Sequence, residues 1–154
     1  MADPRDQFQQ RITSELIGVA RLYRREVDRR LVEHDLTDAK AMPILHIARS
    51  GDGMRQGVLA DELGLEGPSL VRLLDQLCAA DLVQRRDDPA DKRAKTLHIT
   101  EAGRAVARVA EDALQKVRGE LLADVSFADL AATVRTLNAF KVALDEAEKR
   151  AQAS

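Results

Sequence analysis

A chain of 154 residues with 32% charged side chains, 3% aromatics and a formal net charge of −2 has the length of one domain that packs its own core. Its longest apolar runs fall short of a membrane span, its charged start (Asp3, Arg5, Asp6) is unlike a secretory leader, and one cysteine excludes an internal disulfide, so a cytoplasmic protein is expected. With charge so nearly balanced, affinity for a polyanion has to come from where the cations sit.

Phe8, Ile12, Leu16, Val19, Ala20, Tyr23, Val27 and Leu31 recur at three- and four-residue steps, which predicts a long amphipathic helix over roughly residues 7–32. Thr37 or Asp38 is expected to cap a second helix, with Met42, Leu45 and Ala48 inward and Pro43 in its early turns. Ser50-Gly51-Asp52-Gly53 reads as a turn. Val58, Leu59, Ala60 and Leu63 mark a short helix ended by Gly64, and Gly67-Pro68-Ser69 opens the next, striped by Leu70, Leu73, Leu74 and Leu77. Leu82–Arg86 and Thr96–Ile99 read as strands, the second alternating polar and apolar, around a turn-rich segment from Asp87 to Lys92. Thr100 is expected to cap a helix with the seam Ala102, Val106, Val109, Ala113, Val117 and Leu121. Ser126 starts the last helix, whose Leu130, Val134, Leu137 and Leu144 follow nearly heptad spacing.

Two short helices followed by a strand, a charged loop and a strand form the pattern of a winged helix-turn-helix. The expected fold is mainly α with a small β-hairpin wing, as one domain over residues 1–154. The reader occupies about 54–100, flanked by helices at about 7–35 and 101–150 that are expected to pair two copies of the chain, the alternative being that they pack on each other and on the reader. From residue 55 to 95 the reader carries seven Lys or Arg against eight Asp or Glu. On its second helix Ser69, Arg72 and Gln76 share the face opposite the leucines. Arg72 has the fork to address guanine, Gln76 an adenine edge or a phosphate, Ser69 a base or the backbone, and Pro68 a thymine methyl. On the wing, Lys92 is placed for a minor groove or phosphate, and Asp91 is expected to hold the Arg93 guanidinium. Arg86 and Lys95 flank the tip, and Arg86 is preferred to Arg85 as the one facing DNA. A solvated, ion-paired surface is the plainer alternative for each of these residues.

Residues 59–103 resemble the MarR family of bacterial winged-helix regulators, and its SlyA branch in particular. The resemblance rests on Pro68-Ser69-Leu70-Val71-Arg72, Leu74-Asp75-Gln76-Leu77, Asp91-Lys92-Arg93-Ala94-Lys95 and Leu97-His98-Ile99-Thr100 with Gly103. It implies a homodimer joined by first and last helices, base reading by Ser69 and Arg72, and a wing in the minor groove of an inverted-repeat operator in double-stranded DNA. Lys92 stands where the wing tip often carries Arg, which implies altered readout of a narrow minor groove. It also implies a small aromatic, anionic effector held by Arg21, Tyr23 and Arg24 of the first helix and Lys40, Met42, Pro43 and His46 of the second. Ala39 and Ala41 stand where a bulky aromatic is common, leaving room for a ligand as large as an aryl-CoA thioester.

No catalytic constellation is expected, no cofactor, and no metal site, since His34, His46 and His98 lack partners at ligand spacing. Peroxide-sensing relatives carry a reactive cysteine near the start of the first helix, where this chain has none. Cys78 is expected to be buried and inert. The expected function is a ligand-responsive repressor. A protein-binding winged-helix adaptor, and a regulator acting as activator or anti-silencer, remain as alternatives.

Overall fold

The computed structural model describes residues 3–51 and 53–153. Its first helix, α1 (Pro4–Val32), starts where the Asp3 carboxylate accepts the Arg5 N–H at 2.9 Å and Pro4 fills the first turn, a position where a missing N–H is harmless. Near its other end Glu26 accepts from Arg29 and Arg30, and the Arg29 guanidinium pulls the Glu26 carboxyl down to about 2. Only Val27 and Leu31 of α1 are buried, while Phe8, Ile12 and Leu16 on the predicted stripe stay exposed.

The second helix, α2 (Asp38–Arg49), has Thr37 at its N-cap position, but the Thr37 side chain makes no capping bond. Asp28 of α1 supplies the acceptor instead, taking the Asp38 N–H at 3.0 Å. Ala41, Pro43, Ile44, Leu45 and Ile47 are buried, so the inward face of α2 is broader than Met42, Leu45 and Ala48 predicted. In the turn that follows, Gly51 and Gly53 take φ values of 78° and 88°, conformations that glycine adopts without strain; Asp52 lies outside the described residues.

The reader begins with a two-residue strand, β1 (Met54–Arg55), too short to leave a period-2 signal in the sequence. Helix α3 (Gln56–Leu63) ends on Gly64 at φ 61°, and α4 (Gly67–Ala79) follows with Pro68 in its first turn. Leu70, Leu74 and Leu77 of α4 are buried. Strands β2 (Val83–Asp87) and β3 (Lys95–Ile99) pair antiparallel from Val83↔Ile99 to Asp87↔Lys95, and β1 adds to the free edge of β3 through Met54↔Leu97 and Arg55↔Thr96. The order β1-β3-β2 makes β3 central. Thr96, Leu97 and Ile99 are all buried, and the expected alternation along β3 is lost because both of its faces are covered.

Thr100 joins sheet to helix. Its hydroxyl donates to the Asp81 carbonyl at 2.6 Å and accepts the Gly103 N–H at 2.9 Å, opening α5 (Glu101–Leu121). The buried face of α5 is Gly103, Ala107, Ala110, Ala113, Leu114 and Val117. The predicted seam is therefore rotated: Ala102, Val109 and Leu121 are exposed. Gly103 sets the rotation, since it lies so close to the Leu82 carbonyl that no β-carbon fits there. Leu31, Ile44, Ile47, Leu59, Leu70, Leu74 and Leu97 form the centre of the core.

By its internal contacts the chain divides between Val117 and Arg118 into two compact units. The first contains α1 to α4, the sheet and most of α5. The second contains the end of α5 and α6 (Phe127–Gln152), which Ser126 opens by accepting the Asp129 N–H at 3.1 Å. No residue of α6 is buried.

Candidate nucleic-acid interface

The exposed side of α4 follows from its buried side. With Leu70, Leu74 and Leu77 fixed in the core, Ser69, Arg72 and Gln76 project outward together, and Pro68 is exposed at the leading turn. Arg72 has no carboxylate partner among the described residues.

The wing tip is shaped by backbone bonds. The Asp88 N–H donates to the Ala94 carbonyl at 3.1 Å, and the Ala94 N–H donates to the Asp91 carbonyl at 2.9 Å. Two aspartates close small turns on themselves: Asp88 Oδ1 accepts the Ala90 N–H at 2.9 Å, and Asp91 Oδ1 accepts the Arg93 N–H at 3.0 Å. The Asp91–Arg93 link foreseen through the guanidinium is therefore a bond to the main chain, which leaves the Arg93 side chain exposed beside Lys92. An aspartate reaches an N–H two residues on more readily than a long side chain folds back to it.

Three of the reader's seven cations are engaged. Arg85 Nη2 donates to Asp75, which ties β2 to α4; Lys95 Nζ lies 2.5 Å from Asp87 across the hairpin; and Arg55 Nη2 lies 2.8 Å from Asp88 Oδ2. Arg72, Arg86, Lys92 and Arg93 remain without a carboxylate among the described residues, and all four are exposed. Arg86 only reaches the Gln84 side chain, at 3.1 Å. The eight acids outnumber the cations in the tally, yet the ones next to the wing are consumed by internal bonds. The helix face and the tip are left with unpaired positive charge, which suits phosphates.

Arg55, Asp75 and Asp88 are thus the structural partners that sequence reasoning missed. Asp88-Pro89 carries a turn signal, but nothing local to Arg55 announces a bond to a loop so distant in the chain. Asp88 is buried, and the Ala90 N–H, helped by the Arg55 guanidinium, holds its carboxyl below the usual range against the opposing effect of burial.

The residues expected around an effector are not gathered in one place. Arg21 and Arg24, with Ala20, Arg25 and Asp28, line a cleft of about 740 Å³ closed on the other side by Thr37, Asp38 and Ala39. Burial raises the Asp38 carboxyl, the Arg24 guanidinium at 3.9 Å only partly opposing it. Tyr23 is exposed on α1, Lys40 and Met42 are half-buried on α2, and Pro43 is in the core. His46 turns to Glu62 of α3, with Nδ1 2.6 Å from the carboxylate. Ala41 is likewise core, so of the two small residues only Ala39 borders the cleft. Cys78 is half-buried. No group of three or more His, Cys, Asp or Glu arranged to hold a metal occurs among the described residues, and no helix there is long and apolar enough to cross a membrane.

A helix-turn-helix with an antiparallel wing and an unpaired cationic edge defines a winged-helix protein. A sequence model of the MarR family matches residues 34–94. The crystal structure of transcriptional regulator PA3341 is similar over 88% of this chain and 98% of its own, with 32% identity and a TM-score of 0.81. A MarR-family transcriptional regulator from Rhodococcus sp. RHA1 is similar over 86% and 93%, at 25% identity and a TM-score of 0.74. A mutant MarR from E. coli complexed with operator DNA shares the fold, at 21% identity and a TM-score of 0.72 over 90% and 99%. The chain belongs to the MarR family, whose members are transcriptional regulators and not enzymes.

Proposed function

We propose that the chain is a homodimeric repressor that binds an inverted-repeat operator in double-stranded DNA and is released by a small aromatic, anionic effector. The observation that carries the DNA reading is the set Arg72, Arg86, Lys92 and Arg93, left unpaired on the outer face of α4 and on the wing while neighbouring cations are tied to carboxylates. Ser69, Arg72 and Gln76, with Pro68, enter the major groove, and Lys92, with Arg93 and Arg86, follows the backbone into the minor groove, while Lys95, tied to Asp87, braces the hairpin beneath them. Asp91 shapes the tip. The operator complex formed by the E. coli relative is in keeping with this, and the Pro68–Arg72 and Asp91–Lys95 motifs are our ground for reading the chain as SlyA-like within the family.

A two-fold pair of readers addresses half-sites about one helical turn apart. Exposed Phe8, Ile12 and Leu16 on α1, and an α6 without a buried residue, supply the apolar surfaces that such a pair covers. The whole chain then acts as one functional domain in the cytoplasm, with its terminal helices as the dimer frame. The α1–α2 cleft is the effector site: Arg21 and Arg24 meet an anion, and Ala39 leaves room for an aryl-CoA thioester.

Selection of bound duplexes from a random pool, repeated at two salt concentrations, tests the DNA reading. The expected result is an enriched inverted repeat whose affinity falls steeply with salt; a pool without enrichment refutes it. Calorimetric titration with aryl acids and their CoA thioesters tests the effector, and Arg24→Ala is expected to weaken the response to both.

A further inference from the structure

We infer that Arg55 is a positioning residue of the DNA-binding surface, bolting the wing to the start of α3 through Asp88. The inference rests on the DNA-binding reading above.

Arg55 occupies the N-cap position of α3, where Ser, Thr, Asp or Asn is favoured because a short side chain with an acceptor satisfies a free N–H of the first turn. Arginine has no acceptor to offer, and α3 has no side-chain cap. The guanidinium instead crosses to the hairpin, where Nη2 meets Asp88 Oδ2 at 2.8 Å. The Asp88 side chain is 9% exposed, so this carboxylate is largely withdrawn from water and the bond to it is worth more than a surface pair. Asp88 is itself where the loop turns: its N–H bonds Ala94, its Oδ1 takes the Ala90 N–H, and its carbonyl accepts from Asp91 at 3.2 Å. A side chain held at the start of α3 therefore fixes the residue that organises the tip carrying Lys92. The sheet alone does not do this, because β1 pairs only through Met54 and Arg55 and β2–β3 pairing ends at Asp87↔Lys95, short of the tip. The helix-turn-helix and the wing consequently move as one body, and Lys92 contacts DNA at a fixed distance from Arg72.

The test turns on a sign. Asp88→Asn removes a negative charge beside the wing, so charge alone predicts tighter binding to DNA. Positioning predicts weaker binding. In the wild-type chain Lys92→Ala is expected to reduce the log–log salt slope by about one per protomer. In the Arg55→Gln or Asp88→Asn background the same change is expected to alter it far less, because the tip no longer sits on the duplex. Arg55→Lys, which still reaches one carboxylate oxygen, should restore most of the dependence on Lys92. A readout without DNA runs in parallel: in Arg55→Gln the amides of Asp88 and Ala94 should exchange roughly tenfold faster, the loss expected for a bond to a buried charge, while core amides of α4 are unchanged. Asp88→Asn binding as tightly as the wild type or tighter, with the Lys92 effect intact, overturns the inference. So do unchanged Asp88 and Ala94 amides in Arg55→Gln. Failure of the wild-type chain to bind any selected duplex strikes the DNA reading itself, and the exchange result still decides whether Arg55 holds the tip.

Discussion

Single side chains on the proposed interface have separable duties, and substitution separates them. Arg72 sits on a rigid helix with its fork unpaired, the geometry for two parallel bonds to a guanine edge. Arg72→Ala should cost about 1–3 kcal/mol of discrimination per half-site, measured as the ratio of affinities for the selected repeat and a scrambled duplex. Equal losses on both duplexes would mean that the residue touches only phosphate. Lys92→Ala should instead weaken both duplexes alike and flatten the salt dependence. Asp88 brings pH into the same surface. Its folded pKa is depressed, first by the Ala90 N–H and then by Arg55, so its contribution is complete above the unfolded value of about 3.9 and fades as pH falls through the lower folded one. The stability gap between wild type and Asp88→Asn, followed by thermal midpoint, should therefore be constant from pH 7 to about pH 5 and close on further acidification. A gap that persists in acid would assign the effect to shape, not charge.

At the scale of elements, the sequence disclosed whatever is encoded locally. The α4 start at Gly67-Pro68, the Gly64 stop and the Thr100 cap all appear where the pattern placed them, because turn and cap chemistry acts over a few residues. What stayed hidden depends on distant neighbours. β1 exists only because β3 offers an edge, β3 lost its alternation because both of its faces are covered, and α5 turned because Gly103 had to pass the Leu82 carbonyl. The site followed the same rule: the outward trio of α4 was legible, whereas Arg55–Asp88 and Arg85–Asp75 were not. Two substitutions probe the α5 junction. Thr100→Ala loses both the cap and the bond to Asp81, for about 1–2 kcal/mol. Gly103→Ala places a β-carbon against the Leu82 carbonyl and 2.8 Å from Ile99 Cγ1, an overlap costing about 3 kcal/mol or more, since backbone cannot rotate away. Denaturant midpoints check the order: if Gly103→Ala proves the milder change, the packing at this junction is looser than described.

Across the whole molecule the decisive fact is that the reader has a core of its own while α6 has none. Val134 is 56% exposed, Leu137 41% and Leu144 55%, on a helix otherwise built as a solvated one, with a capped start and basic residues in its last turn. A surface leucine on a helix that stays in water tolerates a charge at little cost, within about 0.5 kcal/mol. The same leucine in a dimer seam does not, because a carboxylate there is buried without a partner. Leu137→Glu, combined with Val134→Glu, discriminates between the two situations. If α6 lies in a seam, the double variant sediments as a monomer and binds an isolated half-site as before. Affinity for the full inverted repeat then drops by far more than the tenfold that about 1.4 kcal/mol represents, because the two readers no longer share one binding event. If the variant remains a dimer with intact affinity for the repeat, α6 is not the surface that joins the protomers, and pairing has to be sought on the exposed stripe of α1.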